Sequence, residues 1–398
     1  MSLAVAYFTP LPPQRSGIAD YSAMLLPALA AGAHITVFID DVHCLERAYS
    51  GVQAVLPMDQ YPARRREFDL VIYQMGNSHY HETLYHYLKR YPGLTVLHDY
   101  YLHHFVASIT AWRGDFGGYA REMAYARGEE GLRRARAIQA GQTDYPLYEW
   151  PLNDRVLDSS LGLIVHSSFV ARQLRAQRPC LPVAVVPQVM QLPVDRLEPP
   201  RLQLDLPSDA FVIGCAGLIT PEKRVELVLR AFARLLPQTP RARLLIVGEI
   251  PDWYPESLPN LIAQLGLSGV VTCTGHVASL QEFDQYLSTF DVGINLRWPT
   301  SGETSASALR MMAHGCPVIV TNTGWYAELP ADLCLRLDHS PDEEERLLQH
   351  LLMLAGDQPQ RQRLGQRARE YIQRECAPDQ VARRYLSFAS QLTHSANS

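Results

Sequence analysis

Lysine is almost absent from this sequence: Lys89 and Lys223 are the only two, so arginine supplies the other 34 of the 36 basic residues. The seven cysteines are scattered without a C-x-x-C pair, which excludes a recognisable disulfide framework and is typical of a reducing compartment. No apolar run approaches the roughly 18 residues that span a bilayer, and the N-terminal stretch MSLAVAYFTP lacks a basic leader. These absences predict a cytoplasmic protein that contacts, at most, a membrane surface.

The charge balance gives no sign of a nucleic-acid partner. With 36 basic and 41 acidic residues the formal net charge is −5, so no overall positive field attracts a phosphate backbone. Two short basic clusters fit either solvated helix faces or a contact with an anionic membrane or acceptor. They are Arg64–Arg66 and the group Arg133, Arg134 and Arg136.

Apolar segments of strand length alternate with helical patterns along the chain, which predicts parallel sheets covered on both faces. A chain of 398 residues is too long for one ordinary core, and the proline-rich stretch Pro187–Pro207 interrupts the alternation. We therefore predict an α/β protein with doubly wound domains at 1–190 and 205–378, and a ligand cleft between the carboxyl ends of the two sheets. The predicted strands are Leu3–Phe8, Ile35–Ile39, Leu70–Tyr73, Leu94–Leu97, Leu161–Val165, Val183–Val186, Phe211–Ala216, Ala242–Val247, Val270–Thr274, Val292–Leu296, Pro317–Val320 and Leu333–Leu337.

Two candidate sites follow strands of the first domain. Gly17 lies near the start of a predicted helix, where backbone N–H groups can approach a phosphate; a plain tight turn is the alternative. His98 and Asp99 follow the strand Leu94–Leu97, where the imidazole can hydrogen-bond a sugar hydroxyl or a backbone oxygen. These residues and the later histidines show no recognised ligand spacing, so no metal site is predicted.

A third candidate follows the first strand of the second domain. Pro221 and Glu222 are predicted to open a helix whose first turn also holds Lys223 and Arg224. Two cations at that position are unfavourable beside the positive end of the helix dipole. A bound diphosphate would offset this, because its negative charge interacts favourably with both the cations and the helix N-terminus. The alternative is a surface turn with solvated charges.

The stretch from Pro299 to Pro317 is the most informative one. Its small residues bring Glu303 to the start of a helix capped by Thr304 or Ser305, where free N–H groups can face phosphates. The Glu303 carboxylate can accept hydrogen bonds from vicinal sugar hydroxyls, or it can simply complement the helix dipole. The chain contains no D-x-D, the pattern of many metal-dependent enzymes that use sugar nucleotides.

In their order and spacing, these motifs resemble those of a retaining glycosyltransferase of family 4, whose GT-B fold has two Rossmann-like domains. The resemblance runs over nearly the whole chain. The matching segments are Ser16-Gly17-Ile18, His98-Asp99, Gly217-x-x-x-Pro221-Glu222-Lys223, Val247-Gly248, Thr274-Gly275-His276-Val277 and the helix end Ala313-His314-Gly315-Cys316-Pro317-Val318.

The resemblance implies that the second domain binds a nucleotide-sugar, that the first binds the acceptor, and that the final helix, 379–398, returns to the first domain. By motif, Lys223 would contact the diphosphate, Gly17 would approach it through its backbone N–H, and His98 would contact the transferred sugar. His276 and Val277 would line the base pocket. Members of the family act without a metal or other cofactor and typically retain the anomeric configuration.

The chain departs from the family pattern at two places. Leu218 stands where members usually carry an arginine, and Arg297 is the residue that could replace it. The first of two usual glutamates falls on Gly302, one place before Glu303, and the second falls on Arg310, which cannot accept a hydrogen bond from ribose. Either the ribose is held elsewhere, or Arg310 pairs with an acid, or the donor pocket is atypical.

We therefore expect a metal-independent hexosyltransferase that acts on a saccharide, a lipid-linked acceptor, a protein or a small molecule. A sugar-nucleotide epimerase on the same fold and a non-catalytic binding scaffold are the alternatives. The expected catalytic residues are His98, Glu303 and Lys223. The expected donor-binding residues are Gly17, Lys223, Arg224, Arg297, His276, Val277, Thr304 and Ser305. No general base stands out, and the expected acceptor-side residues are Asp20, Tyr21 and Asp99.

Overall fold

The chain forms two compact units in a computed structural model that describes residues 2–44, 48–193, 201, 204, 206–254 and 258–397. The first unit comprises Met1–Val189, Ser301–Thr304 and Pro378–Ser398, and the second comprises Met190–Thr300 and Ser305–Ala377. Ten residues of the predicted linker (194–200, 202, 203 and 205) lie outside the described residues.

The first unit contains a sheet of seven parallel strands in the order β3-β2-β1-β4-β5-β6-β7. Its strands are β1 (Ala4–Phe8), β2 (His34–Ile39), β3 (Ala54–Pro57), β4 (Leu70–Met75), β5 (Gly93–Leu97), β6 (Ser160–Val165) and β7 (Val183–Val185). Its α-helices are α1 (Gly17–Ala30), α2 (Tyr61–Arg64), α3 (Glu82–Arg90), α4 (His103–Ile109), α5 (Phe116–Gln139), α6 (Asp154–Asp158), α7 (Ser168–Gln177) and, from the end of the chain, α14 (Pro378–Asn397).

Two apolar clusters cover this sheet, one on each face. One cluster packs α1 and α14 against the sheet through residues such as Leu25 and Val381, and the other packs residues of α3 to α7. Because both faces are covered, the central strands β1, β4 and β5 are buried along almost their whole length, as is usual in a parallel sheet. The C-terminal helix is thus part of the core of the first unit.

The second unit contains a sheet of six parallel strands in the order β10-β9-β8-β11-β12-β13. Its strands are β8 (Phe211–Ala216), β9 (Ala242–Val247), β10 (Val271–Cys273), β11 (Val292–Asn295), β12 (Val318–Thr321) and β13 (Cys334–Leu337). Its α-helices are α8 (Val225–Leu235), α9 (Leu258–Gln264), α10 (Leu280–Leu287), α11 (Ala306–Ala313), α12 (Glu343–Gly356) and α13 (Gln358–Tyr371).

These two sheets confirm the predicted class, and each predicted strand has a counterpart. The additional strand, β3, had not been predicted; it is short and only partly buried, so its sequence lacks a long apolar run. The predicted helix start at Pro221 was wrong. Pro221–Lys223 is one 3-10 turn, Arg224 has a left-handed backbone with φ of 54°, and α8 begins only at Val225. No helix of the described residues is long and apolar enough to cross a membrane.

Two helices of the second unit approach each other through glycine. A Cβ atom built on Gly365, in α13, would lie 1.8 Å from the carbonyl oxygen of Gly315, which follows α11. Backbone cannot yield as a flexible side chain would, so glycine is needed here because of the close approach and not because of its φ angle.

We predict that Gly365→Ala lowers the free energy of unfolding by about 1–3 kcal/mol through overpacking, although alanine is the better helix former. Chemical denaturation would measure the loss. The matched control is Gly356→Ala at the end of α12, where the added Cβ meets no atom within 4 Å. Equal stability of the two variants would contradict the close approach.

Candidate functional site

The strand order of each sheet reverses direction at one point, and the candidate residues follow the strands there. In the second unit this switch lies between β8 and β11, in the first between β1 and β4. Open α/β sheets bind ligands outside the carboxyl ends of strands at such a point. The segments after β8 and β11 run from Gly217 to Lys223 and from Leu296 to Trp298.

Lys223 and the start of α11 meet at Gly217. A Cβ built on Gly217, whose φ is 96°, would lie 2.7 Å from Lys223 Nζ and 3.6 Å from Ser307 Oγ. Lys223 is 8% exposed, and its ammonium group donates a hydrogen bond to the carbonyl oxygen of Ala216. The turn therefore holds a cation beside the N-terminal turn of a helix, which is the electrostatic arrangement that favours a phosphate.

Two polar residues beside this cation, Asn295 and Ser307, were not among the predicted site residues. Asn295, the last residue of β11, is 2% exposed and donates from Nδ2 to Ser307 Oγ at 2.9 Å. Ser305 caps α11 by accepting from the N–H of Ala308 at 3.2 Å, and its hydroxyl lies 3.1 Å from that of Ser307. An asparagine that ends an apolar strand was the available signal for Asn295.

The two arginines of the predicted donor site have different surroundings. The guanidinium of Arg224 forms an ion pair with Glu343, which is 2% exposed, and hydrogen-bonds His339 at 3.2 Å. This buried acid gives Arg224 a structural partner at the start of α12. Arg297 follows β11, and its backbone N–H donates to Thr321 Oγ1 at 3.0 Å at the end of the neighbouring strand β12.

The segment expected to line a base pocket lies against the loop after β9. Gly248 and Gly275 form an isolated antiparallel bridge, and the N–H of Gly248 donates to Thr274 Oγ1 at 3.1 Å. The exposed His276 lies 3.6 Å from the Glu249 carboxylate, and Val277 packs partly against the core. Backbone and side-chain polar groups thus lie close together near β8, although none of these contacts shows which nucleotide base would bind there.

Arg310, which stands where the family has a glutamate, pairs with an acid on the neighbouring helix. Its Nη1 lies 3.1 Å from both carboxylate oxygens of Asp284, and His314 Nε2 lies 3.0 Å from one of them. Burial raises the pKa of Asp284, but the hydrogen bond from His314 and the charge of Arg310 outweigh it and lower the pKa overall. Of the three alternatives for Arg310, pairing with an acid is the one that the structure shows.

In the first unit, Gly17 is the first residue of α1. Ser16 caps the helix by accepting from the N–H of Ile18 at 3.3 Å. Gly17 is exposed, with no atom within 4 Å of a Cβ built on it, and Asp20 lies in the first turn. Gly17 therefore lies at an accessible helix start, as predicted, although its φ angle does not require glycine.

Asp99 and Glu303 are brought together by Ser301. The Ser301 hydroxyl lies 3.2 Å from Asp99 Oδ1 and 2.8 Å from Glu303 Oε2, and the Ser301 N–H also donates to Glu303 at 2.8 Å. The Ser301 carbonyl accepts from the N–H groups of Tyr100 and Tyr101 at 2.9 and 3.0 Å. The segment Ser301–Thr304 thus belongs to the first unit, which its position in the sequence did not indicate.

His98 has buried aromatic neighbours, and Tyr21 is one of them. His98 Nε2 lies 2.7 Å from Gln74 Oε1, and the ring centroids of His98 and Tyr21 are 4.7 Å apart. Tyr21 is 1% exposed and its hydroxyl bonds that of Tyr385, so the prediction that it contacts the acceptor was wrong. Periodicity did not separate this buried residue from its more exposed neighbour Asp20.

The structure describes no group of three or more histidine, cysteine, aspartate or glutamate side chains, among the residues it covers, that could hold a metal ion. Metal independence remains a prediction.

Comparison with known proteins identifies the class of the second unit. Residues 210–357 match the family model of glycosyl transferases group 1, so the chain carries a domain of that family. The D-inositol 3-phosphate glycosyltransferase of Stackebrandtia nassauensis is 33% identical over 205 residues, which are 48% of this chain and 44% of that protein. The corresponding protein of a Nocardioides species is 34% identical over 145 residues, 33% of this chain and 32% of that one. This chain thus matches less than half the length of these relatives.

A solved structure of the sucrose-phosphate synthase of Thermosynechococcus elongatus superposes with a TM-score of 0.68 at 18% identity, covering 98% of this chain and 100% of that one. Anabaena Alr3699/HepE in complex with UDP-glucose superposes with a TM-score of 0.66 at 15% identity, covering 98% and 100%. At such identities the likeness shows the fold alone. The likeness confirms the fold class that the motifs indicated, and the family match over 210–357 agrees with the resemblance within the second unit.

Buried histidines of the first unit predict a stability that falls in mild acid. Burial lowers the pKa of His81, His103 and His166 to about 4, whereas an unfolded chain has the ordinary value of about 6.5. Between pH 6.5 and 4 the unfolded state therefore binds protons that the folded state does not. As the pH falls through that window, each of these histidines should reduce the free energy of unfolding by up to about 1.4 kcal/mol for each pH unit.

Melting temperatures measured from pH 7.5 to pH 4.5 would test this. His166→Gln should flatten the pH dependence of the melting temperature, because it removes one of the three titrating imidazoles. The fold should tolerate the change, because glutamine can still donate to the Val186 carbonyl that His166 Nδ1 faces at 2.8 Å. His34→Gln, at an exposed histidine, is the control and should leave the slope unchanged. A pH-independent melting temperature in the wild type would contradict the burial argument.

Proposed function

We propose that the protein is a glycosyltransferase that moves a hexose from a nucleoside-diphosphate sugar to an acceptor hydroxyl, without a metal and with retention of configuration. The observation that carries the proposal is the convergence of Lys223, Gly217 and the start of α11 at the switch point of the second sheet. The family match over 210–357 covers this convergence. Because solved neighbours of the same fold bind UDP and UDP-glucose, a uridine nucleotide is the first donor to test.

In the proposed reaction, the bond between the anomeric carbon and the diphosphate oxygen breaks, and a bond to the acceptor oxygen forms. Negative charge develops on the leaving diphosphate. The Lys223 ammonium group and the free N–H groups at the start of α11 would stabilise that charge more in the transition state than in the bound donor. The acceptor proton leaves with the diphosphate or through a base that we do not assign.

The first unit would contribute the contacts to sugar and acceptor. We assign His98 to a hydroxyl of the transferred sugar and Glu303 to the sugar as a hydrogen-bond acceptor, with Asp20 and Asp99 on the acceptor side. Asp99 and Glu303 already share Ser301, so a substitution at either residue should affect the other. The acceptor would be a saccharide, a lipid-linked acceptor, a protein or a small molecule.

The two alternative functions make different predictions. An epimerase would convert the nucleotide-sugar without an acceptor, and NMR of the donor alone would reveal that turnover. A binding scaffold would bind nucleotide and show no transfer to any member of a broad acceptor panel.

We predict that Lys223→Met weakens UDP binding by about ten- to a hundredfold, because a charge-assisted hydrogen bond contributes roughly 1.5–3 kcal/mol. Methionine keeps most of the buried side-chain volume. Isothermal titration calorimetry well below the melting temperature would measure the dissociation constant.

Lys89→Met is the matched control, because it removes the only other lysine, which lies 4.3 Å from the centre of the Tyr85 ring in the first unit. Its UDP affinity should equal that of the wild type. Wild-type affinity in a well-folded Lys223 variant would place the diphosphate elsewhere, and Arg297→Met would then be the variant to test.

We predict further that sugar transfer persists in excess EDTA, because protein cations take the place of a metal at the diphosphate. Initial rates would be compared in EDTA, in EDTA followed by magnesium or manganese, and in untreated enzyme. Loss of activity that a divalent ion restores would exclude the metal-free mechanism.

A further inference from the structure

An asparagine is buried at the end of an otherwise apolar strand in the second unit. Asn295 is the last residue of β11 and is 2% exposed. Its Nδ2 donates to Ser307 Oγ at 2.9 Å, but its Oδ1, also buried, has no hydrogen-bond partner within the part of the chain that the structure describes. Turning the amide over would only exchange the unpartnered atom, because Nδ2 would then lack an acceptor. A buried polar atom without a partner lowers stability, so the fold alone does not explain an asparagine here.

The hydroxyl groups of Ser305 and Ser307 have one proton more than their mutual contact uses. Ser307 Oγ accepts from Asn295, and the two hydroxyl oxygens lie 3.1 Å apart, so one serine donates to the other. Ser305 Oγ also accepts from the N–H of Ala308 at 3.2 Å. Each hydroxyl group has a single proton to donate. Among the described residues, therefore, one of the two protons is left for a ligand.

Ser307 is the serine that a ligand can reach. Ser305 is 5% exposed and caps α11, whereas Ser307 is only half-buried and lies in the first turn of that helix. A Cβ built on Gly217 would lie 3.6 Å from Ser307 Oγ and 2.7 Å from Lys223 Nζ, so the hydroxyl and the ammonium group face the same point. Because Asn295 directs an N–H group at Ser307, the Ser307 proton cannot point to the amide. It is available to an anionic oxygen beside Lys223.

We propose that Asn295 is a positioning residue that directs the Ser307 hydroxyl proton to a phosphate oxygen, so that Ser307 binds the diphosphate of the donor together with Lys223. The proposal rests on the proposed function for the identity of its ligand. It explains the unpartnered Oδ1 atom, because the amide serves the ligand by holding Nδ2 against Ser307. It also adds to the site a neutral hydrogen-bond donor that no predicted residue supplied.

Isothermal titration calorimetry of the full chain with two probes, UDP and inorganic pyrophosphate, tests the role of Ser307. Pyrophosphate reports the diphosphate contact without a base or a sugar. Ser307→Ala should weaken the binding of both probes by about ten- to a hundredfold, because it removes a hydrogen bond to a charged group.

The role of Asn295 is tested by a nearly isosteric apolar variant. Asn295→Leu should weaken both probes by roughly three- to tenfold, since the Ser307 hydroxyl is no longer oriented. Its melting temperature should equal or exceed that of the wild type, because the unpartnered oxygen is removed with the amide. Asn295→Asp also keeps the side-chain shape, and it should weaken both probes more than Asn295→Leu does. Its carboxylate accepts the Ser307 proton and repels the anion.

A double-mutant cycle separates positioning from direct contact. If Asn295 acts through Ser307, Asn295→Leu should have no further effect on affinity in the Ser307→Ala background. The matched control is Asn153→Leu in the first unit. Asn153 is 0% exposed, its Nδ2 donates to the Tyr100 carbonyl at 2.9 Å, and its Oδ1 accepts from Gln177 at 3.0 Å. With both amide atoms bonded, its replacement should lower the melting temperature and leave both affinities unchanged.

Wild-type affinity for both probes in Ser307→Ala would overturn the proposal. An equal loss from Asn295→Leu with and without the Ser307 hydroxyl would overturn it too, since the amide would then contact the ligand itself. A melting temperature that Asn295→Leu lowers as much as Asn153→Leu does would make Asn295 a structural residue, which is likewise contrary to the proposal. Absence of glycosyl transfer in a wild type that binds both probes would contradict the proposed function alone.

Discussion

Parallel strand pairing is the constraint on which the rest of this structure depends. When all strands of a sheet run the same way, the segments that follow them emerge at one edge, however far apart they lie in the sequence. In the second unit this rule brings together the turn after β8 and the asparagine that ends β11, although they lie about 70 residues apart in the sequence. In the first unit it brings together the end of β4 and the residues that follow β5, where Gln74 meets His98.

Close backbone approach is the second condition for the proposed phosphate site in the second unit. Gly217 leaves room for Lys223 and Ser307, and a Cβ built on Gly248 would lie 2.3 Å from the carbonyl oxygen of Gly217. Both glycines have a positive φ, of 96° and 133°, that other residues rarely adopt. Two adjacent strand ends can therefore turn within van der Waals distance of each other, and the single buried lysine of the unit lies against that turn.

The sequence was sufficient for most of the fold, because apolar strands of a doubly wound sheet stand out from the helices between them. It was insufficient where tertiary contacts decide the local structure. Arg224 takes a left-handed backbone and pairs with buried Glu343, so α8 begins only at Val225, after both cations. Likewise, Ser301 joins Asp99 across 202 positions, and only the folded chain reveals that contact. Tyr21 was misplaced for the same reason, since its partner Tyr385 lies 364 positions away.

The departure at Arg310 shows how a changed charge is accommodated. An arginine in place of a glutamate would leave a cation half-buried against α10, at a cost of several kcal/mol if it had no partner. Asp284 removes that cost by binding Arg310 through both oxygens and His314 through one, and its lowered pKa keeps it ionised. An acid that already binds both Arg310 and His314 is a poor acceptor for ribose hydroxyls. A ribose bound beside α11 would therefore have to find its acceptor outside this pair.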